Sequence, residues 1–318
     1  MKTAASLLTV LALAHMPFPG WATASSEYTC GWSGSESTET LELSNGFVIR
    51  YLRVGQGPPL VLLDTIRTQL DYFEKVIPSL SEHYEVYALD LPGHGQSSIL
   101  RAEYTEELFR KSVLEFITRL DLRDVTLVGE SIGGVLALTV SAELPDRVAR
   151  AVALNPYDYG DAFGGGIRRG RNGWIVGLFH VFGAYTVEPK FLLSAVFKGG
   201  FHNPSKLPED MLTEFHHTGR RPGYRRAEYS VFRNWRSWTE ARSLYTRIRV
   251  PVTLVYSRDD WSKRGERTRT RLAIRDAEWI TIDEAGHFAS LEKPAEVSSL
   301  ILARRPRARE QGSSEASR

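Results

Sequence analysis

One cysteine, Cys30, stands among the 318 residues. A lone thiol excludes any disulfide within the chain and any metal site built on cysteine ligands. One-sided charge is also missing. Lys and Arg number 40 against 38 Asp and Glu, for a net charge of +2. That balance gives no reason to expect a polyanionic partner. The densest basic stretch, Arg168-Arg169-Gly170-Arg171, lacks the interleaved aromatics of a nucleic-acid surface. No apolar run is long enough to stay in a bilayer as a spanning helix. There is no internal repeat and no metal-ligand constellation, and no cofactor is expected. What remains is 42% hydrophobic and 25% charged, the composition of a soluble globular chain, and long enough to bury a large core without staples.

The N-terminus has its own pattern. Lys2 precedes the apolar run Ala4 to Ala14, the breakers Pro17-Phe18-Pro19-Gly20 follow, and Ala22-Thr23-Ala24 supplies small residues at the spacing signal peptidase reads. A secretory leader over residues 1–24 is therefore expected, with export to the periplasm or the medium. Residues 25–38 are a loose Ser-, Thr-, Gly- and Glu-rich lead-in. The polar tail 304–318 is expected to be disordered.

Between these ends, apolar runs alternate with helical periodicity. Thr40–Leu43 and Phe47–Val54 flank Asn45-Gly46, a hairpin signal. Strands are expected at 60–63, 84–89, 124–128 and 148–154, and helices at 69–80, 103–120 and 132–143. The alternation implies a mostly parallel sheet with helices on both faces, edged by the antiparallel hairpin. It stops at Asn155. Residues 156–245 show patchy helical segments (174–182, 191–197 and 228–245) and no strand pattern. Strands resume at 250–256 and 279–282, and a final helix covers 294–303. The core is thus expected over 39–155 and 246–303. A helical cap inserted at 156–245 should emerge at one edge of the sheet and cover the strands' C-terminal ends, where open α/β sheets bind ligands.

The chemistry centres on Gly129-Glu130-Ser131-Ile132-Gly133. A strand leads into this Gly-x-Ser-x-Gly and a helix leads out, the context of a nucleophile elbow. Glycines let strand and helix approach, Ser131 projects at the helix N-terminus, and the Ile132 amide points where an oxyanion would form. A serine hydroxyl needs a base. Among eight histidines, His287 sits in Gly286-His287-Phe288 after a late strand, on the sheet end that carries Ser131. His94, in Pro92-Gly93-His94-Gly95, suits a loop-structuring role. Either Asp259 or Asp260, directly after the strand at 250–256, can orient the base. In the cap, Phe179, Phe182, Trp235 and Trp238 either line an apolar acyl pocket or form the cap's own core. The arginines within 220–226 either meet an acidic substrate or face solvent.

The elbow, the loop Asp90-Leu91-Pro92-Gly93-His94-Gly95-Gln96-Ser97, and Gly286-His287-Phe288 with Leu291-Glu292-Lys293-Pro294 together resemble the α/β-hydrolase superfamily, in its lid-bearing esterase and lipase-like branch. The resemblance covers about residues 40–303 and implies that fold with a Ser-Asp-His triad. It favours Asp260, which lies three residues after the position where relatives carry a glycine and this chain has Ser257. It also places the second oxyanion donor at the Ile66 amide. Here the sequence departs from the pattern: Asp64-Thr65 stands where relatives have His-Gly, and Asp64 can cap the following turn or pair with Arg67 or His94. The implied activity is hydrolysis of an ester of a small or lipophilic acid through an acyl-enzyme. C–C hydrolases, perhydrolases and acyltransferases share the triad, and a weakly catalytic ligand-binding protein on the same scaffold is the alternative class. The leader is checked by mass spectrometry of the natural N-terminus. A chain beginning at Ser25 is expected, and one beginning at Met1 would contradict cleavage.

Overall fold

The computed structural model describes residues 38–303 apart from 161, 162, 164 and 184–187. The expected leader, Cys30 and the tail lie outside the described residues, as does the lead-in apart from Thr38. The chain opens with β1 (Thr38–Glu42) and β2 (Val48–Val54), joined through Gly46 at φ +82°. This is the backbone that Asn-Gly turns favour. β3 (Pro59–Leu63) is a short apolar strand with Leu60 to Leu63 fully buried, as expected for a strand covered on both faces.

The helix expected over 69–80 is broken in two. A 3₁₀ turn covers Leu70–Phe73, and α1 spans Ile77–Ser81. Pro78 explains the break, because it has no N–H to donate back to the preceding turn. Leu70, Phe73, Ile77 and Leu80 are nonetheless all buried, so the apolar spacing serves the core without one continuous helix. β4 (Glu85–Leu89), α2 (Glu106–Arg119), β5 (Val125–Glu130), α3 (Ile132–Glu143) and β6 (Val148–Leu154) follow.

Next come α4 (Trp174–Phe182), α5 (Lys190–Lys198), α6 (Glu209–Thr218), α7 (Tyr224–Arg233) and α8 (Trp235–Glu240), with a 3₁₀ turn at Ala241–Arg247. The helix expected over 228–245 is therefore three pieces. Asn234 marks the first break, where its side chain donates to the Ser230 carbonyl at 2.9 Å and competes with helix continuation. β7 (Val252–Ser257), α9 (Arg264–Ala273), β8 (Glu278–Ile282), α10 (Ala289–Glu292) and α11 (Pro294–Ala303) close the fold. α9 gave no apolar periodicity, since only Glu266 and Thr270 are buried in it. Polar ties hold it instead. The Glu266 carboxylate accepts the Lys263 N–H at 2.7 Å and pairs with Arg169, and Thr270 donates to Asp158 at 2.8 Å.

The eight strands form one sheet in the order β1-β2-β4-β3-β5-β6-β7-β8. It is antiparallel only at β1–β2 and β2–β4. The helical insertion leaves β6 and returns at β7, and these two strands are neighbours inside the sheet. It therefore does not emerge at an edge, as the flanking strands had suggested. Its helices sit over the C-terminal strand ends because the chain enters the insertion from that end of β6, and Arg67, in the loop after β3, reaches Glu188 and the Phe215 carbonyl there.

Candidate active site

β5 turns into α3 at Ser131, which holds φ 60° and ψ −118°. A residue with a Cβ adopts such a backbone at a cost of about 1–3 kcal/mol. The turn closes because its neighbours lack side chains. A Cβ on Gly129 would lie 2.0 Å from the Gly133 carbonyl oxygen, and one on Gly133 would lie 2.1 Å from that of Leu63. Ser131 is the N-cap residue of α3, yet its side chain caps nothing. Its hydroxyl lies instead 2.9 Å from His287 Nε2.

The other ring nitrogen of His287 lies 2.5 Å from Asp260 Oδ1. Asp260 Oδ2 accepts the Ser262 amide at 2.9 Å and the Ser262 hydroxyl. Burial pushes the Asp260 carboxyl up. The His287 imidazole and the Ser262 hydrogen bonds outweigh burial and hold it below the ordinary aspartate value. An ionised Asp260 fixes the His287 proton on Nδ1 and leaves Nε2 free to accept from Ser131. The structure thus brings Ser131, His287 and Asp260 together. Asp259 points elsewhere, 2.7 Å from His202 Nδ1. His94 is buried against Phe109 and Tyr224, and its Nδ1–H donates to the Pro92 carbonyl, 3.1 Å away. Burial lowers its pKa to about 4, so it is neutral and structural.

Buried groups that the sequence did not single out hold the His287 loop. Asn155 donates to the carbonyls of Gly286 (3.3 Å) and His287 (3.0 Å) and to the Ser257 hydroxyl (3.0 Å). Glu130, inside the elbow, accepts the amides of Ala289 at 2.6 Å and Ser290 at 3.1 Å. Glu292 accepts the Gly286 amide at 2.8 Å and the Asn203 amide at 2.6 Å, joining this loop to the segment after α5. Trp261 stacks on the imidazole at 4.0 Å between centroids and 20° between planes, which holds the ring in its plane. The halt of the strand–helix rhythm at Asn155 was the one visible trace of these supports.

On the opposite side, the loop after β3 lies against the elbow, since the Leu63 and Asp64 carbonyls crowd Gly133. The Thr65 amide is engaged by Thr68 Oγ1 at 3.2 Å, whereas among the described residues no protein acceptor meets the Ile66 amide. The Ile132 amide is at the first position of α3, where helix N–H groups have no intrahelical partner. Asp64 pairs with neither Arg67 nor His94. It is fully buried, one oxygen meets Thr68 Oγ1 at 3.4 Å and the other has no partner. Burial, with Asp90 nearby, raises its carboxyl well above the usual range.

Arg67 takes over the anchoring of this loop. It holds φ +70° and runs into the cap, donating to the Phe215 carbonyl at 2.8 Å and lying against Glu188, Glu228 (3.5 Å) and the Tyr224 ring. Burial opposes its charge, and Glu188 and Glu228 more than restore it. The cavity beside His287 has a volume of about 190 Å³, with Ile66, Val176, Phe179, Leu193, Phe197 and Phe288 among its walls. Phe179 and Phe182 line it, while Trp235 and Trp238 are buried against Tyr157 and Phe109 instead.

Residues 58–294 match the family model described as the alpha/beta hydrolase fold, and the chain belongs to that family. Among curated relatives, the (E)-2-((N-methylformamido)methylene)succinate hydrolase of Acinetobacter baylyi is 39% identical over 118 residues, covering 37% of this chain and 45% of that protein. The haloalkane dehalogenase of Agrobacterium fabrum is 38% identical over 109 residues, 34% of this chain and 36% of that protein. The chain thus spans less than half the length of these two relatives. Among solved structures, the enol-lactonase of Burkholderia xenovorans LB400 superposes with a TM-score of 0.70 at 20% identity, covering 83% of this chain and 98% of that one. At that identity it shows the fold alone.

Replacing Arg67 with Met strips Glu188 and Glu228 of a buried partner. Such losses cost about 3–5 kcal/mol, and the urea midpoint should fall accordingly. An unchanged midpoint would show that Arg67 does not tie the loop to the cap.

Proposed function

We propose that this chain is a serine hydrolase cleaving carboxylic esters of small, lipophilic acids through an acyl-enzyme. The observation that carries the reading is the buried Ser131–His287–Asp260 relay opening on an apolar cavity. Ser131 Oγ attacks the ester carbonyl while His287 Nε2 takes its proton, and Asp260 steadies the imidazolium. The carbonyl oxygen, now an anion, is met by the Ile132 and Ile66 amides, each such donor being worth roughly 10²–10³ in rate. His287 returns the proton to the departing alkoxide, leaving the acyl group on Ser131. Water, deprotonated by His287, then attacks the acyl carbonyl, and Ser131 departs with the proton restored.

The lining of the cavity supports an apolar acyl group. The enol-lactonase fold neighbour is named for an ester substrate, since a lactone is a cyclic ester. Displacement of the dehalogenase kind belongs, by the family resemblance, to sites with a carboxylate at the elbow, and this elbow carries Ser131. C–C hydrolysis, perhydrolysis and acyl transfer use the same relay and differ in what leaves or attacks. A binder without turnover would have no physical use for a strained serine in line with a buried His–Asp pair.

The test is Ser131→Ala against a panel of p-nitrophenyl esters of graded acyl length. Turnover should fall by on the order of 10³-fold or more, with the wild type preferring chains that fill the cavity. Undiminished turnover in the variant would sink the assignment.

A further inference from the structure

α4 is apolar apart from His180. Between Trp174 and Phe182 it carries no Asp, Glu, Lys or Arg. Val176 and Phe179 turn inward and are buried. Trp174, Leu178, Val181 and Phe182 recur at the spacing of the opposite helical face and are between 42% and 75% exposed. Phe191, at the start of α5, adds a further exposed ring. A surface helix of a globular protein normally shows water a polar face. Burying such side chains is favourable in proportion to the apolar area removed from water, so this face holds favourable burial that the fold itself leaves unused.

The charges around the stripe point to what covers it. Val181 and Phe182 form a wall of an open groove of about 960 Å³, whose lining includes Arg220 and Arg226 beside Lys190 and Arg225, the latter two paired with Glu209 and with Glu188 and Glu228. Arg220 and Arg226 are exposed and meet no carboxylate among the described residues. At the other end of α4, Arg168 and Arg171 are exposed just before its N-terminus. Cations at that end oppose the helix dipole, whereas a lipid phosphate would satisfy both the dipole and the arginines. Interfacial binding strengthens with buried apolar area and with electrostatic attraction to anionic lipids, and an exposed apolar stripe flanked by cations at both ends offers both. The stripe is also continuous with the cavity, because Leu178 and Phe182 line the space that reaches His287.

We propose that this face docks on an anionic lipid surface. The outer stripe of α4 lies at the boundary of acyl chains and headgroups, and the flanking arginines rest on lipid phosphates. The docked orientation turns the cavity mouth toward the lipid, so a lipophilic ester passes from bilayer to cavity. Only this delivery step rests on the ester-hydrolase reading.

The test is sedimentation of the full chain with vesicles of phosphatidylcholine, alone or mixed with phosphatidylglycerol. The wild type should sediment with the mixed vesicles, less so in high salt. The double variant Trp174→Ser/Val181→Ser should bind on the order of tenfold more weakly yet hydrolyse p-nitrophenyl acetate as the wild type does, since neither residue lines the cavity. Arg168→Gln/Arg171→Gln should lose the preference for the mixed vesicles. The proposal is overturned if the wild type does not sediment or if the double variant sediments equally, which would place binding on another segment such as the N-terminal apolar run. It is also overturned if the wild type is a dimer that the double variant abolishes, which would make a second copy the cover. Vesicle binding without any esterase activity would leave docking standing and remove the hydrolase reading.

Discussion

Gly133 lies so close to the end of β3 that a single added carbon would fall 2.1 Å from the Leu63 carbonyl oxygen. That contact presses the first turn of α3 against the loop carrying Asp64, Thr65 and Ile66. It can form only because Gly129 allows β5 to meet α3 equally closely, which forces Ser131 to φ 60°. The strain at Ser131 and the nearness of the Ile66 amide are thus two results of one backbone constraint. Moving Gly133 outward would relax Ser131 and separate the two amides proposed to hold an oxyanion.

A second set of forces brings His287 to meet that strained serine. The His287 loop packs its Phe288 ring against Phe197, Phe201 and Trp261 and is also held by buried polar groups reaching it from three directions. Asn155 comes from the end of β6, Glu130 from the elbow itself, and Glu292 from the loop's own following helix. Because Glu130 sits beside Ser131, the geometry of the turn and the position of the His287 loop are coupled through one carboxylate. Burial raises the Glu130 carboxyl above its ordinary value, and the Ser290 hydrogen bonds and the His287 ring offset only part of that rise. On the far wall, Arg67 replaces small-residue packing by a buried ion cluster and so connects the oxyanion loop to the cap helices.

Much of this was legible in the sequence, for identifiable reasons. β3 is a continuous apolar run and β5 and β6 are mostly apolar, and the elbow's glycines mark a contact that allows no other residue. Ser131, Asp260 and His287 each stand directly after a strand, so their convergence at one sheet end followed from the alternation. What could not be read was set by tertiary contacts. α9 is held by Glu266, Arg169 and Asp158 rather than by an apolar stripe. Whether Phe179 faced a cavity and Trp238 a core depended on how the cap settles. Of the two expectations for Asp64, capping the following turn or pairing with Arg67 or His94, the charged pairing does not form; Asp64 lies buried beside Thr68, because Arg67 is drawn to two glutamates on the cap side. That the insertion sits over the sheet's interior rather than its edge depended on strand order, which periodicity does not report.

The central claim is that Ser131 is a nucleophile activated by His287. Its most direct test is reaction of the folded chain with a fluorophosphonate, followed by intact-mass and peptide mapping. The account predicts a single adduct on the Ser131 peptide, formed far more slowly when Asp260 is replaced by Asn. No adduct, or an adduct on another serine of the folded protein, would contradict it.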